Sequence, residues 1–176
     1  MSLPNVNHTV HRSEVKPGLS LAYIREGVGG YPLLLVHGFP ETKRIWYRNI
    51  GPLAAAGFEV IVPDLRGFGE SDLSADGFYD PAAYAGDVYT LVHDVLGHSR
   101  CSIVGGDVGG VVAPHLALAY EGFVERLCIF NTIPPMLNEA YAKAGIPEDA
   151  PVEQRSVMDY FVRQGTDGDG LAAEMN

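Results

Sequence analysis

Gly105-Gly106-Asp107-Val108-Gly109-Gly110 is the stretch that most restricts how this chain can fold. It follows a short apolar run, Cys101 to Val104, and leads into an Ala-rich helical run, Val111 to Tyr120. A side chain can stand at the tip of so tight a strand-to-helix turn only if its neighbours lack bulk. Gly105 and Gly109 flank Asp107 where a side chain would collide, and glycine accepts the strained dihedrals. The pattern is that of a nucleophile elbow with aspartate in place of serine. A carboxylate there suits displacement at a saturated carbon and a covalent alkyl ester. At a helix N-terminus its anion is also favoured by free N–H groups. Taken alone, the stretch is equally compatible with Asp107 as a plain N-cap.

The rest of the chain places this turn in an α/β frame. Thr9 to Val15 and Leu19 to Arg25 read as antiparallel strands around the turn Lys16-Pro17-Gly18. Pro32 to Val36 and Phe58 to Val62 are continuous apolar runs, the mark of strands buried on both faces. Lys43 to Ala56 has helical spacing and stops at Gly57; Pro81 to Leu96 is a helix with Asp80 as N-cap and Gly97 as its stop. Val124 to Phe130 is a further strand. Strands alternating with helices imply a mostly parallel sheet whose ligands bind beyond the strand carboxyl ends. His37-Gly38-Phe39-Pro40, the glycine-rich loop Asp64 to Asp72, Asp107 and Asn131 all follow strand ends and are expected on one rim.

These segments, in this order, resemble the α/β-hydrolase fold superfamily. His37-Gly38-Phe39-Pro40, Pro63-Asp64-Leu65-Arg66-Gly67-Phe68-Gly69-Glu70-Ser71 and the Asp107 elbow resemble its epoxide hydrolase and dehalogenase branch. The resemblance covers residues 19 to 135 well. It implies an N-terminal part of the hydrolase core over residues 1–135 and the start of a helical cap over 136–176. It implies Asp107 as nucleophile, with the backbone N–H groups of Phe39 and Val108 as the oxyanion hole. Phe39, Trp46 and Val108 are the expected substrate-lining positions. His37, Gly38, Pro40, Gly105 and Gly109, with Asp64 and Arg66, are expected to shape loops.

Ester hydrolysis needs a histidine base oriented by a carboxylate. His115 lies eight residues beyond Asp107, about 12 Å along a helix, too far to serve. His8, His11, His93 and His98 precede the nucleophile and read as surface or packing residues. Relatives carry the base and its acid on strands after the cap. The chain is therefore expected to be part of a longer polypeptide, inactive by itself, with the apolar edge of the last strand left open. Epoxide opening also needs a cap acid. Tyr160, in Tyr160-Phe161-Val162-Arg163-Gln164-Gly165, is a candidate, although the family register sets the acid at Val157; Tyr141 is the weaker one.

The expected substrate is a small hydrophobic molecule such as an epoxide. Dehalogenation is the alternative, although Val108 stands where halide-binding side chains would be; a non-catalytic ligand-binding relative is the alternative of another class. The net charge of −10 argues against nucleic acid or an anionic membrane as partner. No apolar run reaches the roughly 20 residues of a membrane span, and no leader segment is evident, so a cytoplasmic location is expected. No metal or organic cofactor is implied, since no cluster has ligand spacing. Cys101 and Cys128 are both expected in buried strands as free thiols.

Overall fold

The computed structural model describes residues 7–132. The chain divides into two units, Met1–Pro134 and Pro135–Asn176. The expected cap, with Tyr141, Val157 and Tyr160, lies outside the described residues.

The first unit is a six-stranded sheet in the order β1-β2-β4-β3-β5-β6. β1 (Val10–Lys16) and β2 (Leu19–Glu26) form the antiparallel edge, and β2 pairs antiparallel with β4 (Phe58–Pro63). β3 (Tyr31–Val36), β4, β5 (Cys101–Gly106) and β6 (Val124–Phe130) run parallel. The chain leaves β3 for β4 on one side and returns to β5 on the other. The crevice between the ends of β3 and β5 is thus the topological switch point, where open α/β sheets bind ligands.

Alternation along the strands builds two cores. Leu34, Val36, Ile61 and Ile103 face α2 (Pro81–Tyr89) and α3 (Val108–Ala119), packing with Val88, Val112 and Leu116. Leu33, Leu35, Val60 and Val62 face the other way, onto Trp46 and Ile50. Ile50 belongs to α1 (Tyr47–Ala55).

Three expectations are corrected. The segment from Lys43 is not one helix: a 3-10 turn, Lys43–Trp46, capped by the Thr42 side chain, precedes α1. The helix from Pro81 changes to π-helical winding over Thr90–Val95, with the Leu96 N–H reaching the Leu91 carbonyl. Leu91 and Val92, both wholly buried, lie within it. Cys101 is buried, and burial pushes its thiol pKa up to about 12, but Cys128 is exposed. The reason is its strand: β6 pairs only with β5 among the described residues, and Leu127 and Phe130 are also exposed there. No described helix is long and apolar enough to cross a membrane.

Candidate active site

Asp107 links β5 to α3 at φ 52°, ψ −121°. An L-residue holds such a backbone only when its surroundings dictate it. Here they do. A Cβ on Gly105 would lie 2.2 Å from the Gly109 carbonyl oxygen, and one on Gly109 would lie 2.5 Å from that of Val36. Strand β5, helix α3 and strand β3 therefore touch backbone to backbone around the turn. The Asp107 carbonyl is anchored by the Thr132 hydroxyl at 2.6 Å and the Gly110 N–H at 3.0 Å. α3 starts at Val108, three residues earlier than its apolar run suggests, because Asp107 is itself the cap.

The Asp107 carboxylate is asymmetric. Oδ1 accepts the Val108 N–H at 2.7 Å and the Phe39 N–H at 2.8 Å. No hydrogen bond reaches Oδ2 from the described residues. The N-terminus of a helix and the loop after β3 thus grip one oxygen and leave the other without a described donor. The fit needs Gly38, where a Cβ would stand 2.7 Å from Asp107 Cβ and 2.9 Å from Oδ1.

The loop that carries the Phe39 N–H is braced by His37, which is fully buried. The Leu65 N–H donates to His37 Nε2 at 3.0 Å, and Nδ1 lies 2.8 Å from the Gly38 carbonyl. These partners assign the neutral ring with its proton on Nδ1. Burial lowers the His37 pKa; the Gly38 carbonyl, Asp64 and Glu41 pull against that, and Lys43 adds to it. Glu41 accepts the Gly38 N–H at 2.9 Å and returns its own N–H to the Gly38 carbonyl at 3.2 Å.

Asp64 and Arg66 are both wholly buried. Asp64 takes the Lys43 N–H at 2.7 Å, the Lys43 ammonium at 2.5 Å and the Glu70 N–H at 2.9 Å. Gly69, at φ 53°, makes room for it: a Cβ there would lie 2.2 Å from Asp64 Oδ2. Arg66 forms a two-pronged bond with Asp87 on α2 at 2.5 and 2.6 Å, and also reaches Ser74, Asp76 and the Phe78 carbonyl. The Ser74 hydroxyl and the Phe78 N–H, with Arg66, hold Asp76 down at a pKa of about 2.

Of the candidate lining residues, Phe39 and Val108 flank Asp107 directly. Trp46 is in the α1-side core, 9% exposed, edge-on to Phe130 at 6.0 Å, and its indole N–H meets no acceptor among the described residues. Pro40 is exposed. His115 bonds the Val111 carbonyl of its own helix, and His8, His93 and His98 bond Glu26, Asp94 and Glu59. His11 stacks on Tyr23. None of these five histidines is bonded to Asp107. No group of ligating side chains could hold a metal among the described residues.

Sequence reasoning missed Lys43 and Glu41. Lys43 has a signal: it shares the buried stripe of Trp46 and Ile50, and a lysine on such a stripe must meet a buried anion. Glu41 has none, because its bond depends on how the loop closes.

The alpha/beta hydrolase fold family matches residues 31–152. A soluble epoxide hydrolase from Corynebacterium sp. (strain C12) is 40% identical over 127 residues, 72% of this chain and 43% of that protein. Epoxide hydrolase 4 from Mus musculus is 34% identical over 126 residues, 70% of this chain and 34% of that protein. The solved structure of epoxide hydrolase CorEH without ligand superposes with a TM-score of 0.64 at 35% identity, covering 81% of this chain and 53% of its own. The chain thus spans less than half the length of these curated relatives. Family match, sheet order and elbow agree: this chain belongs to the α/β-hydrolase fold family and is similar to its epoxide hydrolases.

Proposed function

We propose that the protein is a hydrolase that opens small epoxides through a covalent ester on Asp107. The observation that carries this reading is the two-donor grip on Asp107 Oδ1 beside an Oδ2 that no described donor reaches. In the first step Oδ2 attacks an epoxide carbon and the carbon–oxygen bond breaks. The departing oxygen takes a proton from an acid, for which Tyr160 of the cap is the candidate. In the second step water attacks Asp107 Cγ and gives its proton to a base. Charge then develops on Oδ1, where the Phe39 and Val108 N–H groups are already aimed. The Cγ–Oδ2 bond breaks, the base returns its proton to Oδ2, and the diol leaves with that oxygen. Asp107 is restored with an oxygen from water.

The base is assigned to polypeptide outside the described residues, since the five histidines other than His37 are engaged elsewhere. His37 is spent on the loop. The epoxide hydrolase relatives support the substrate class, and the carboxylate nucleophile supports attack at carbon rather than acyl transfer. Val108 contributes only its backbone N–H, which disfavours halide abstraction as the reaction.

The test is a single turnover of the full-length protein with an epoxide in ¹⁸O-water. Label is expected in Asp107 and not in the diol of that first turnover. Label in the diol alone would overturn the ester route, and halide release from chloroalkanes without epoxide turnover would replace the substrate class.

A further inference from the structure

We propose that Lys43 is a positioning residue of the oxyanion hole. Its buried ammonium neutralises Asp64 beside His37, so that His37 keeps the neutral tautomer that aims the Phe39 N–H at Asp107. The proposal rests on the reading of that N–H as an oxyanion donor.

The Gly38–Phe39 peptide is planar and trans, so its carbonyl and its N–H point opposite ways. His37 Nδ1–H, at 2.8 Å, and the Glu41 N–H, at 3.2 Å, hold the carbonyl end. The N–H end therefore faces Asp107 Oδ1 at 2.8 Å. His37 can do this only while Nε2 keeps a lone pair for the Leu65 N–H, at 3.0 Å. A second proton on the ring would set two N–H groups head to head and release the clamp.

Three charged groups bear on His37: Asp64 from the loop after β4, and Glu41 and Lys43 from its own loop. α3 meets this loop with glycine, Gly109 lying against the His37 carbonyl, and with the Asp107 carboxylate at its cap, which the Phe39 and Val108 N–H groups hold. Phe68 packs edge-on to the ring at 5.1 Å. Two of the three charges are acidic and favour the proton. Lys43 opposes them, 1% exposed and placed on Asp64 at 2.5 Å and on Glu70 at 2.9 Å. Burial of the ammonium is offset by those two carboxylates, which raise its pKa and keep it charged. Without Lys43, His37 would face an uncompensated Asp64 in a site with little water to screen it.

The experiment follows His37 in ¹⁵N-histidine-labelled full-length protein by NMR from pH 8 to pH 5, with amide exchange at Phe39. In Lys43→Met, the His37 titration is expected to move up by about one pH unit, roughly tenfold in protonated ring at a given pH. Phe39 exchange should quicken over the same interval. Lys43→Arg should behave as the parent. Removing both charges, in Lys43→Met/Asp64→Asn, should bring the titration back to the parent position. A His37 titration in Lys43→Met that coincides with the parent would overturn the proposal. Should that variant fail to fold, the double variant decides: His37 protonating less readily there than in the parent means that the Asp64 charge was uncompensated all along and that Lys43 is not what holds the ring neutral. Turnover adds a second reading, a kcat that falls on the acid side in Lys43→Met with KM unchanged. An inactive parent protein would count against the epoxide reading and leave the NMR result standing.

Discussion

Gly38→Ala is the sharpest probe of the grip on Asp107. The new methyl would start 2.7 Å from Asp107 Cβ and 2.9 Å from Oδ1. Ordinary carbon contacts begin near 3.4 Å, so the loop must retreat by about 0.7 Å. The Phe39 N–H then moves from 2.8 Å to about 3.5 Å from Oδ1, the limit of a hydrogen bond. Losing one such donor typically lowers the rate about 10²- to 10³-fold. The two half-reactions should not suffer equally. In the first step charge leaves the carboxylate, so a donor on Oδ1 stabilises the reactant more than the transition state. In the second step charge returns to Oδ1, and the donor is needed. Gly38→Ala should therefore leave ester formation intact and stall hydrolysis. Intact-protein mass spectrometry of the full-length protein should show the alkyl adduct accumulating, with kcat down about 100-fold and thermal stability reduced only modestly. A folded variant that loses ester formation and accumulates no adduct would refute the reasoning.

Other perturbations test other parts of the frame. Because burial lowers the His37 pKa, the contribution of that ring to stability is fully present above its unfolded value, near pH 6.5. It is lost as pH falls from there towards the folded value; urea unfolding at pH 7.5 and 5.5 should show the drop, and His37→Gln should abolish this component. Asp87→Ala removes the two-pronged partner of the buried Arg66 guanidinium, leaving it Asp76, Ser74 and the Phe78 carbonyl, and should cost about 3 kcal/mol, whereas Arg66→Met/Asp87→Leu should cost much less. Denaturant midpoints of the two variants should differ accordingly, and equal midpoints would count against a buried-charge origin. Gly109→Ala sets a methyl 2.5 Å from the Val36 carbonyl, which cannot yield without parting β3 from α3, and soluble expression should fall sharply. Leu116→Ala, also in α3 but remote from the turn, should cost about 2–5 kcal/mol while leaving the Asp107 bonds in place, as amide exchange at Val108 would report.

The fold was legible where apolar runs and glycine stops are long: the strands start and end within a residue of their reading, except β5, which runs two residues further into the glycines of the turn. It was not legible at Thr90–Val95, because α and π winding bury the same Leu91 and Val92 and differ only in which carbonyl each N–H finds. Cys128 was misplaced for a physical reason. Its strand is apolar, but whether an apolar strand is covered depends on what lies beside it, which no local pattern states. In the site, Gly105 and Gly109 could be read directly, since a missing Cβ reports a close approach. The partners of Asp64 could not: Lys43 is 21 residues away, about 70 Å of extended chain, and only the closure of β3 on β4 joins them.

The asymmetry at Asp107 has a consequence for the rest of the proposed reaction. Two N–H bonds on Oδ1 draw negative charge onto that oxygen and make Oδ2 the poorer nucleophile. What favours the second step therefore slows the first. An epoxide tolerates this, because ring strain drives the carbon–oxygen cleavage, but the departing alkoxide still needs a proton. The better the hole holds Oδ1, the more the first step depends on an acid at the leaving oxygen. No described residue is placed to give that proton, since the hole itself is built from backbone N–H groups. The cap is where the reading puts it. Weakening the hole and removing the cap acid should thus be opposite in kinetic effect: one accumulates the ester, the other prevents it from forming.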